Sequence, residues 1–481
     1  MINLKIIFFI LGVLISVLSI SMLIPLILNF IFHENNFIFS SSFLISSFFG
    51  FSLILAFRNN EKKISVNDTI IITVLSLPVL CAFASLPFYF DNSILGFAEA
   101  FFEATSGLTT TGASIYNNVE NLSIGLLVWR SLIQWLGGIG IIIFAIAILP
   151  ILNIGGMQLF IQDWKEKDFD LHYRSKELAK LVGTIYFSFT LLIFLILWIL
   201  GMPIFDAFCH SLTTVATGGF STNNNSIAHY NSFYIELTII LGMLLASLPF
   251  TLYLSSFQKG IKAFKDIQVF TFLILVLLFS LTLTVWNYFQ NNIDFFTSFR
   301  LAFFNGISIM TGTGYTTVDF SNWGSFPSAL LLLMMLIGGC TGSTTGGIKV
   351  FRIQILFFLI VKELKKISSP RSIFSSKYNN QLISEEIVNS VMVIILFFLG
   401  GIFVISLFFF MAGYDFITSI SAAITSIAVV GPGLGNIIGP EENFSGLPAN
   451  LKIILSAAMI IGRLEFIAFF VLLLPTFWKQ K

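Results

Sequence analysis

The chain has 481 residues, of which 56% are hydrophobic and only 10% are charged. A water-soluble protein carries about 25% charged residues, so this composition excludes a soluble globular protein and predicts a body that faces lipid. The 25 basic residues nearly balance the 24 acidic residues, so bulk charge offers no basis for binding nucleic acid.

Apolar segments long enough to cross a membrane recur along the whole chain. A spanning helix needs about 20 apolar residues, and it pairs its backbone amides without water. The first apolar run follows Lys5 without a small-residue cleavage site, which favours a retained span over a signal peptide. The ten predicted spans are 6–31, 37–57, 69–90, 125–150, 180–202, 232–256, 267–289, 326–340 continued by 348–362, 387–412 and 449–475. The sequence therefore predicts an all-α polytopic membrane protein with lipid as its surroundings.

Basic residues concentrate in alternate connections between these spans. Lys and Arg are frequent in 57–68, 151–180, 257–267 and 363–386, and rare in the connections on the other side. Cytoplasmic loops of membrane proteins are enriched in Lys and Arg. We therefore predict a multi-pass protein of the cell inner (cytoplasmic) membrane, with the N- and C-termini in the cytoplasm.

Four connections on the opposite side share a pattern that ordinary loops lack. Each begins as a short apolar helix, too short to cross a bilayer, and continues as a Thr-, Val- and Gly-containing loop. Alignment of the loops on Gly112, Gly219, Gly314 and Gly431 gives a repeat of about one hundred residues. The four segments are 97–114, 204–222, 296–317 and 416–435.

We predict four pseudo-repeats of span, re-entrant pore helix and loop, and span, arranged around one central pore. Two additional N-terminal transmembrane helices precede them. The predicted units are 1–60 for the additional helices, then 61–160, 161–260, 261–370 and 371–481 for the repeats. The third repeat contains a broken second span with an intramembrane loop at 338–347.

Loops of this composition are suited to a dehydrated cation. A ring of backbone carbonyls can replace the hydration shell of the ion without placing fixed charge in the membrane. Glycine adopts positive φ angles and can turn its carbonyl towards an axis. Gly and Thr also allow helices to pack closely, which is the structural alternative for a single loop. The fourfold recurrence favours the pore.

Acidic residues flank these segments, and two interpretations of them stay open. They could concentrate cations at the pore mouth, or they could simply stabilise helix N-termini. Those near the helix starts are Glu99, Glu103, Asp206, Asp294 and Asp415, and those in the outer loops are Glu120, Asp319, Glu441 and Glu442.

Two features stand apart from the four loops. The segment GGCTGSTTGG at 338–347 interrupts a span, and broken helices at membrane depth commonly border an ion path. Arg463 lies in the middle of the last span, with Glu465 two residues later, on a different helix face. An arginine at this depth is costly, so we expect it either to form a barrier to cations below the ring or to pair with backbone carbonyls of another helix.

These motifs resemble those of the Trk/Ktr potassium-uptake family. TTTGAS, ATGGFST, TGTGYTT and VVGPGLG resemble its four filter loops, GGCTGSTTGGIKVFRI its intramembrane loop, and GRLEF its pore-facing arginine segment. The stretch 132–160 is similar to the segment after the first filter loop. The two additional N-terminal spans favour a pore-forming subunit of the TrkH type over the shorter KtrB type.

The resemblance implies potassium uptake through a gated, channel-like pore, with K⁺ as the transported and filter-bound ion and no covalently bound cofactor. It implies a homodimer and a cytoplasmic nucleotide-binding regulatory subunit of the TrkA type. The implied filter residues are Thr110, Thr111, Gly112, Gly218, Gly219, Thr313, Gly314, Val430 and Gly431. The implied gate residues are Gly338, Gly339, Gly342, Ser343, Thr344, Thr345, Gly346 and Gly347, and the implied pore barrier is Arg463.

The first filter loop has Gly112 where relatives that prefer sodium often have Ser, which favours potassium. The third and fourth loops read TGTGY and AVVGP where many relatives have TTAGF and NNLGP. The alternatives are a sodium-permeable pore, an ion-coupled cation symporter of the same architecture, and a membrane receptor without transport. An enzyme is not expected, because the four histidines form no metal-ligand or nucleophile constellation.

Overall fold

The computed structural model describes residues 2–58, 64–91, 96–147, 171–260, 264–371, 377–379, 381–464 and 466–479. Within these residues the strands are confined to one antiparallel hairpin, β1 (Lys377–Tyr378) and β2 (Gln381–Leu382). All other regular structure described is helical, as the sequence predicts.

Five helices of the described residues precede the first predicted re-entrant segment, and two of them, Val66–Ala84 and Leu86–Tyr89, pack against the helix of that segment. α1 packs along α3 through glycines, because a Cβ on Gly12 would lie 2.8 Å from Leu53 Cβ and 2.9 Å from the Gly50 carbonyl oxygen. In a membrane, small residues of this kind let two helix backbones approach closely. The helices are α1 (Leu4–Ser21), α2 (Leu23–Ile31), α3 (Phe37–Phe57), α4 (Val66–Ala84) and α5 (Leu86–Tyr89).

Short helices begin each of the four segments singled out in the sequence. They are α6 (Phe97–Leu108), α9 (Ile204–Val215), α13 (Phe295–Met310) and α17 (Phe416–Ala428). A loop and one 3₁₀ turn follow each, and then a further helix: α7 (Ile124–Ala147), α10 (Phe233–Ser247), α14 (Ser325–Ile337) and α18 (Ala449–Arg463). The remaining helices are α8 (Leu171–Ile199), α11 (Phe250–Lys259), α12 (Ile267–Gln290), α15 (Val350–Ser368), α16 (Glu385–Met411), α19 (Ile467–Leu473) and α20 (Pro475–Lys479).

Seven helices in the described residues are long and apolar enough to cross a membrane, and a strongly bent pair brings the number to eight. The seven correspond to seven of the ten predicted spans. They are Leu4–Ile31, Phe37–Phe57, Val66–Tyr89, Ile124–Ala145, Leu178–Ile199, Ile267–Gln290 and Glu385–Met411. The multi-span helical architecture is therefore confirmed.

The prediction of one continuous span at 232–256 is wrong. The chain bends by 87° between α10 and α11. Leu248 is extended (ψ 153°) and is followed by Pro249, and a residue before proline is disfavoured in the helical region. The segment SLPF at 247–250 therefore turns the chain sharply.

The predicted final span, 449–475, is also not one continuous helix. α18 ends at Arg463, Phe466 has a φ of 42°, and α19 begins at Ile467. A positive φ at a large aromatic residue cannot continue a right-handed helix. Glu465, which the sequence places beside Arg463, lies outside the described residues.

Burial is inverted relative to that of a soluble protein. Large apolar side chains on the outside are highly exposed, for example Phe296 at 80% and Met411 at 84%. Threonines of the re-entrant segments are fully enclosed, for example Thr105 and Thr109. All three cysteines are buried: Cys81, Cys209 and Cys340. The apolar exterior fits lipid, and polar groups are collected at the centre.

The α1–α3 contact generates a stability prediction. Gly12→Leu forces a branched side chain against the α3 backbone, so we expect a loss of about 1–3 kcal/mol and a lower melting temperature of the detergent-solubilised protein. The matched control is Gly400→Leu in α16, where a Cβ meets nothing within 4 Å. Equal melting temperatures for the two variants would show that this helix contact contributes nothing to stability.

Candidate functional site

The four loops follow the same backbone path. Each has two positive φ angles, one at the aligned glycine and one two residues before it. The pairs are Thr110 (58°) and Gly112 (87°), Thr217 (51°) and Gly219 (79°), Gly312 (71°) and Gly314 (81°), and Val429 (60°) and Gly431 (107°). Left-handed φ angles are rare at non-glycine residues, so their recurrence at aligned positions marks a shared, constrained loop.

One backbone hydrogen bond also recurs in every loop. The amide before the aligned glycine donates to the carbonyl five residues earlier, in the last turn of the short helix. The bonds are Thr111 to Ser106 (2.8 Å), Gly218 to Thr213 (2.9 Å), Thr313 to Ser308 (2.9 Å) and Val430 to Thr425 (3.0 Å). Each short helix therefore fixes the start of the loop that follows it.

The loops are arranged as a closed cycle. A Cβ added to each aligned glycine would collide with one backbone carbonyl oxygen of the next loop, so no side chain fits between neighbours. The pairs are Gly112 with Gly218 O, Gly219 with Thr313 O, Gly314 with Val430 O, and Gly431 with Thr111 O. The order runs from the first loop through the second, third and fourth and back to the first.

A cavity of about 130 Å³ lies over this cycle, and all four aligned glycines line it. Glu441 and Glu442 are also in its wall. Carboxylates beside such a cavity attract cations. The four carbonyl-bearing loops thus lie at the base of a cavity whose wall contains Glu441, Glu442 and Arg130.

Hydroxyl groups are not distributed equally around the cycle. Thr109 and Thr111 share a side-chain hydrogen bond of 2.7 Å, and Thr311 and Thr313 share one of 2.8 Å. At the two equivalent positions the second loop has Ala216 and Gly218, and the fourth loop has Ala428 and Val430. The four loops therefore have only the backbone carbonyl in common as a ligand for an ion, and carbonyl oxygens suit an alkali cation.

The segment 338–347 lies against the cycle and contacts the second, third and fourth loops. Thr217 donates through Oγ1 to Thr344 Oγ1 at 3.0 Å, and Gly347 donates through its amide to Ala428 O at 2.9 Å. A Cβ on Gly312 would lie 3.6 Å from the Gly346 nitrogen. The first loop is reached through Arg463. This part of the chain therefore spans the side of the cycle away from the cavity.

The bend after α10 holds the other end of the same segment. Cys340 donates through its amide to Ser247 O at 3.2 Å, and Phe250 donates to Gly342 O at 2.9 Å. Thr344 donates through Oγ1 to Ala246 O at 3.1 Å. The bend that sequence reasoning missed thus provides the backbone partners of the interrupted span, and Pro249 was the signal that could have identified it.

Arg463 connects the segment to the first loop. Its Nη2 donates to Thr110 Oγ1 at 2.8 Å and to Thr344 O at 2.7 Å, and the side chain is only 5% exposed. Its Nε has no hydrogen-bond partner among the described residues. Arg463 thus pairs with one backbone carbonyl of the non-helical segment 338–347, and its charge lies directly beside the cycle.

The acidic residues near the helix starts are engaged in structural contacts. Glu103 is fully buried and accepts from Arg130 Nε at 2.9 Å. Glu99 accepts from Lys452 Nζ at 2.9 Å. Hydrogen bonds from Thr418 hold the pKa of Asp415, at the start of α17, below its ordinary value. These contacts favour the structural interpretation for this group, and leave Glu441 and Glu442 as the acids that line the cavity.

Arg130 joins the first two loops. Beyond its ion pair, it donates to Ser221 O at 3.1 Å and to Ser114 Oγ at 3.1 Å, and its guanidinium lies 4.1 Å from the Phe220 ring centre. Sequence reasoning assigned no role to Arg130. A charged residue within an apolar helix was the available signal.

The buried ion pair of Glu103 and Arg130 generates a second prediction. Glu103→Ala leaves the Arg130 charge buried without its partner, which costs about 3–5 kcal/mol. We expect a lower melting temperature of the purified protein and a loss of cation flux. Glu386→Ala, at an exposed residue of α16, is the control. Wild-type stability of Glu103→Ala would contradict a structural role for the pair.

Comparison with known proteins places this geometry in a family. Residues 35–479 match the model of the TrkH family, described as a cation transport protein. The chain is 40% identical to the Trk system potassium uptake protein TrkI of Halomonas elongata, over 85% of this chain and 84% of that one. It is 34% identical to TrkH of Vibrio parahaemolyticus and to TrkH of Escherichia coli, with 98% of each chain covered.

A solved structure is similar over the whole chain. The crystal structure of the potassium transporter TrkH from Vibrio parahaemolyticus superposes with a TM-score of 0.92 at 32% identity, covering 99% of this chain and 100% of that one. These matches confirm the resemblance to the Trk/Ktr family that the sequence motifs indicated. They also confirm the prediction that the protein is a transporter component and not an enzyme. This chain belongs to the TrkH family of cation transport proteins.

Proposed function

We propose that this protein takes up potassium across the bacterial inner membrane through a gated, channel-like pore. Its relatives are named as potassium uptake proteins of the Trk system. The observation that carries the proposal is the closed cycle of glycine–carbonyl contacts beneath the acidic cavity. A dehydrated K⁺ needs several oxygen ligands at once, and four neighbouring backbone segments can provide them.

The selectivity filter in this proposal consists of the four loops. Carbonyl oxygens of Thr111, Gly218, Thr313 and Val430 form one layer of this filter. Each loop comes from one of four pseudo-repeats with the boundaries expected from sequence, so one chain makes a complete pore. The repeated φ angles and the repeated amide bond support this assignment.

The segment 338–347 is the proposed gate, and Arg463 is the proposed barrier. Contacts of Thr344, Gly346 and Gly347 with the loops support a position across the cytoplasmic end of the filter. A guanidinium at this point repels a cation that leaves the filter, and its two hydrogen bonds hold the segment against the first loop. Conduction then requires both the segment 338–347 and the Arg463 side chain to move aside.

The remaining parts of the proposal rest on the family. Both termini lie in the cytoplasm, two copies associate as a homodimer, and a cytoplasmic nucleotide-binding subunit of the TrkA type regulates the pore. The names of the relatives, which refer to a Trk system, support a function together with other components.

Gly112→Ser tests the filter. At a φ of 87° a serine is strained, and its Cβ would collide with the Gly218 carbonyl oxygen. We expect this carbonyl to be displaced and the ratio of potassium to sodium uptake to fall about tenfold, which corresponds to about 1.4 kcal/mol. The measurement is ion flux in an uptake-deficient bacterium that expresses each variant.

Gly201→Ser is the matched control for this substitution. Gly201 also has a positive φ of 95°, but a Cβ there meets nothing within 4 Å. It should keep the wild-type ratio. An unchanged ratio in Gly112→Ser would remove the first loop from the filter.

Arg463→Ala and a shortened 338–347 segment test the barrier and the gate. Both changes remove contacts beneath the filter, so we expect faster potassium uptake at equal protein abundance. Arg58→Ala, at an exposed residue after α3, is the control. Uptake at or below the wild-type rate in both variants would refute the assignment of a barrier and a gate at this position.

A further inference from the structure

Gln134 is an amide side chain in an otherwise apolar part of α7, and it is fully buried. Its Nε2 donates to the Gly218 carbonyl oxygen at 2.6 Å, and its Oε1 accepts from the Phe220 amide at 3.1 Å. The two bonds enclose Gly219, the aligned glycine of the second loop. Gln134 therefore holds the backbone on both sides of this glycine.

The Gly218 carbonyl is one of the four in the cycle, and it is the oxygen that lies against Gly112. Within the described part of the chain, the carbonyls of Thr111, Thr313 and Val430 accept no side-chain hydrogen bond. A carbonyl oxygen has two lone pairs, so the bond from Gln134 leaves one for an ion. The carbonyl of the second loop is thus held by a side chain from outside the cycle, whereas the equivalent carbonyls of the other three loops are not held in this way.

The corresponding position on α18 lacks this amide. A Cβ on Gly137 of α7 would collide with Leu108 O, and a Cβ on Gly462 of α18 would collide with Ile427 O. Leu108 and Ile427 each precede an aligned glycine by four residues, so Gly137 and Gly462 are structurally equivalent. Three residues before them are Gln134 and Met459. The position of α18 that is equivalent to Gln134 therefore accommodates a methionine, on a helix that also packs against the loops.

We propose that Gln134 is a positioning residue for ion selectivity, because it sets the location of the Gly218 carbonyl in the filter. This inference rests on the proposed function, in which the cycle is the filter. A carbonyl oxygen held at a fixed distance from its neighbours discriminates between cations of different radius. A carbonyl oxygen without this restraint can move inward and coordinate a smaller ion. Loss of the amide therefore relaxes selectivity towards Na⁺ without removing the pore.

The test is Gln134→Met in the full-length protein, expressed in an uptake-deficient bacterium. Rb⁺, as a substitute for K⁺, and Na⁺ uptake are measured on the same cells, so that the ratio does not depend on how much protein folds. We expect the Rb⁺/Na⁺ ratio to fall about threefold to tenfold, as for the loss of a buried hydrogen bond. Gln134→Leu, which also lacks the amide, should lower the Rb⁺/Na⁺ ratio as well.

Gln354→Met is the matched control. Gln354 donates through Nε2 to Ile267 O at 3.1 Å and to Thr271 Oγ1 at 2.6 Å, on helices away from the loops. It should keep the wild-type ratio.

A wild-type ratio in both Gln134 variants, with a lowered ratio in Gly112→Ser, would overturn the role of Gln134 and leave the filter standing. A wild-type ratio in Gly112→Ser would instead overturn the filter itself. A lower total uptake with an unchanged ratio in the Gln134 variants would also count against selectivity positioning, because it would indicate structural support only.

Discussion

At four places around the base of the cavity, a glycine Cα lies so close to the carbonyl oxygen of the next loop that a Cβ would collide with it. This close approach is the constraint on which the rest of the centre depends. It requires glycine at 112, 219, 314 and 431, and it brings four backbone segments within reach of a single ion. The short helices, the buried ion pair and the glutamine of α7 all act to hold these segments in place.

Electrostatics around the loops divides into two zones. On the cavity side, Glu441 and Glu442 are in the wall, whereas Glu103 is neutralised by Arg130 and serves as a brace. On the opposite side, the guanidinium of Arg463 lies between the first loop and the interrupted span. The cavity side thus has two carboxylates in addition to the Glu103–Arg130 ion pair, and the opposite side has a buried guanidinium.

Much of this was predictable from the residues. Hydropathy predicted the spans, and the spacing of the glycines predicted which loops come together, because glycine at a constrained turn is a strong local signal. The bend at 247–250 and the interruption after Arg463 were not predicted, since apolar composition does not reveal where a helix changes direction. Pro249 was the one residue that could have indicated the bend at 247–250.

The partners of individual polar side chains could not be derived from sequence at all. Arg130, Gln134 and Arg463 each reach a loop that is distant along the chain, and such contacts depend on how the helices pack. The acids that flank the four segments illustrate the same limit: their positions suggested either attraction of cations or helix stabilisation, and only the packing distinguishes Glu103 from Glu441.

The most direct measurement is crystallographic, on protein grown or soaked in Rb⁺ and examined by anomalous diffraction. If the four loops form a filter, an anomalous peak lies on their common axis, with the carbonyl oxygens of Thr111, Gly218, Thr313 and Val430 around it, and it weakens when Na⁺ replaces Rb⁺. An axis without a peak at saturating Rb⁺, or a peak that is confined to another part of the protein, would contradict the central role of the loops.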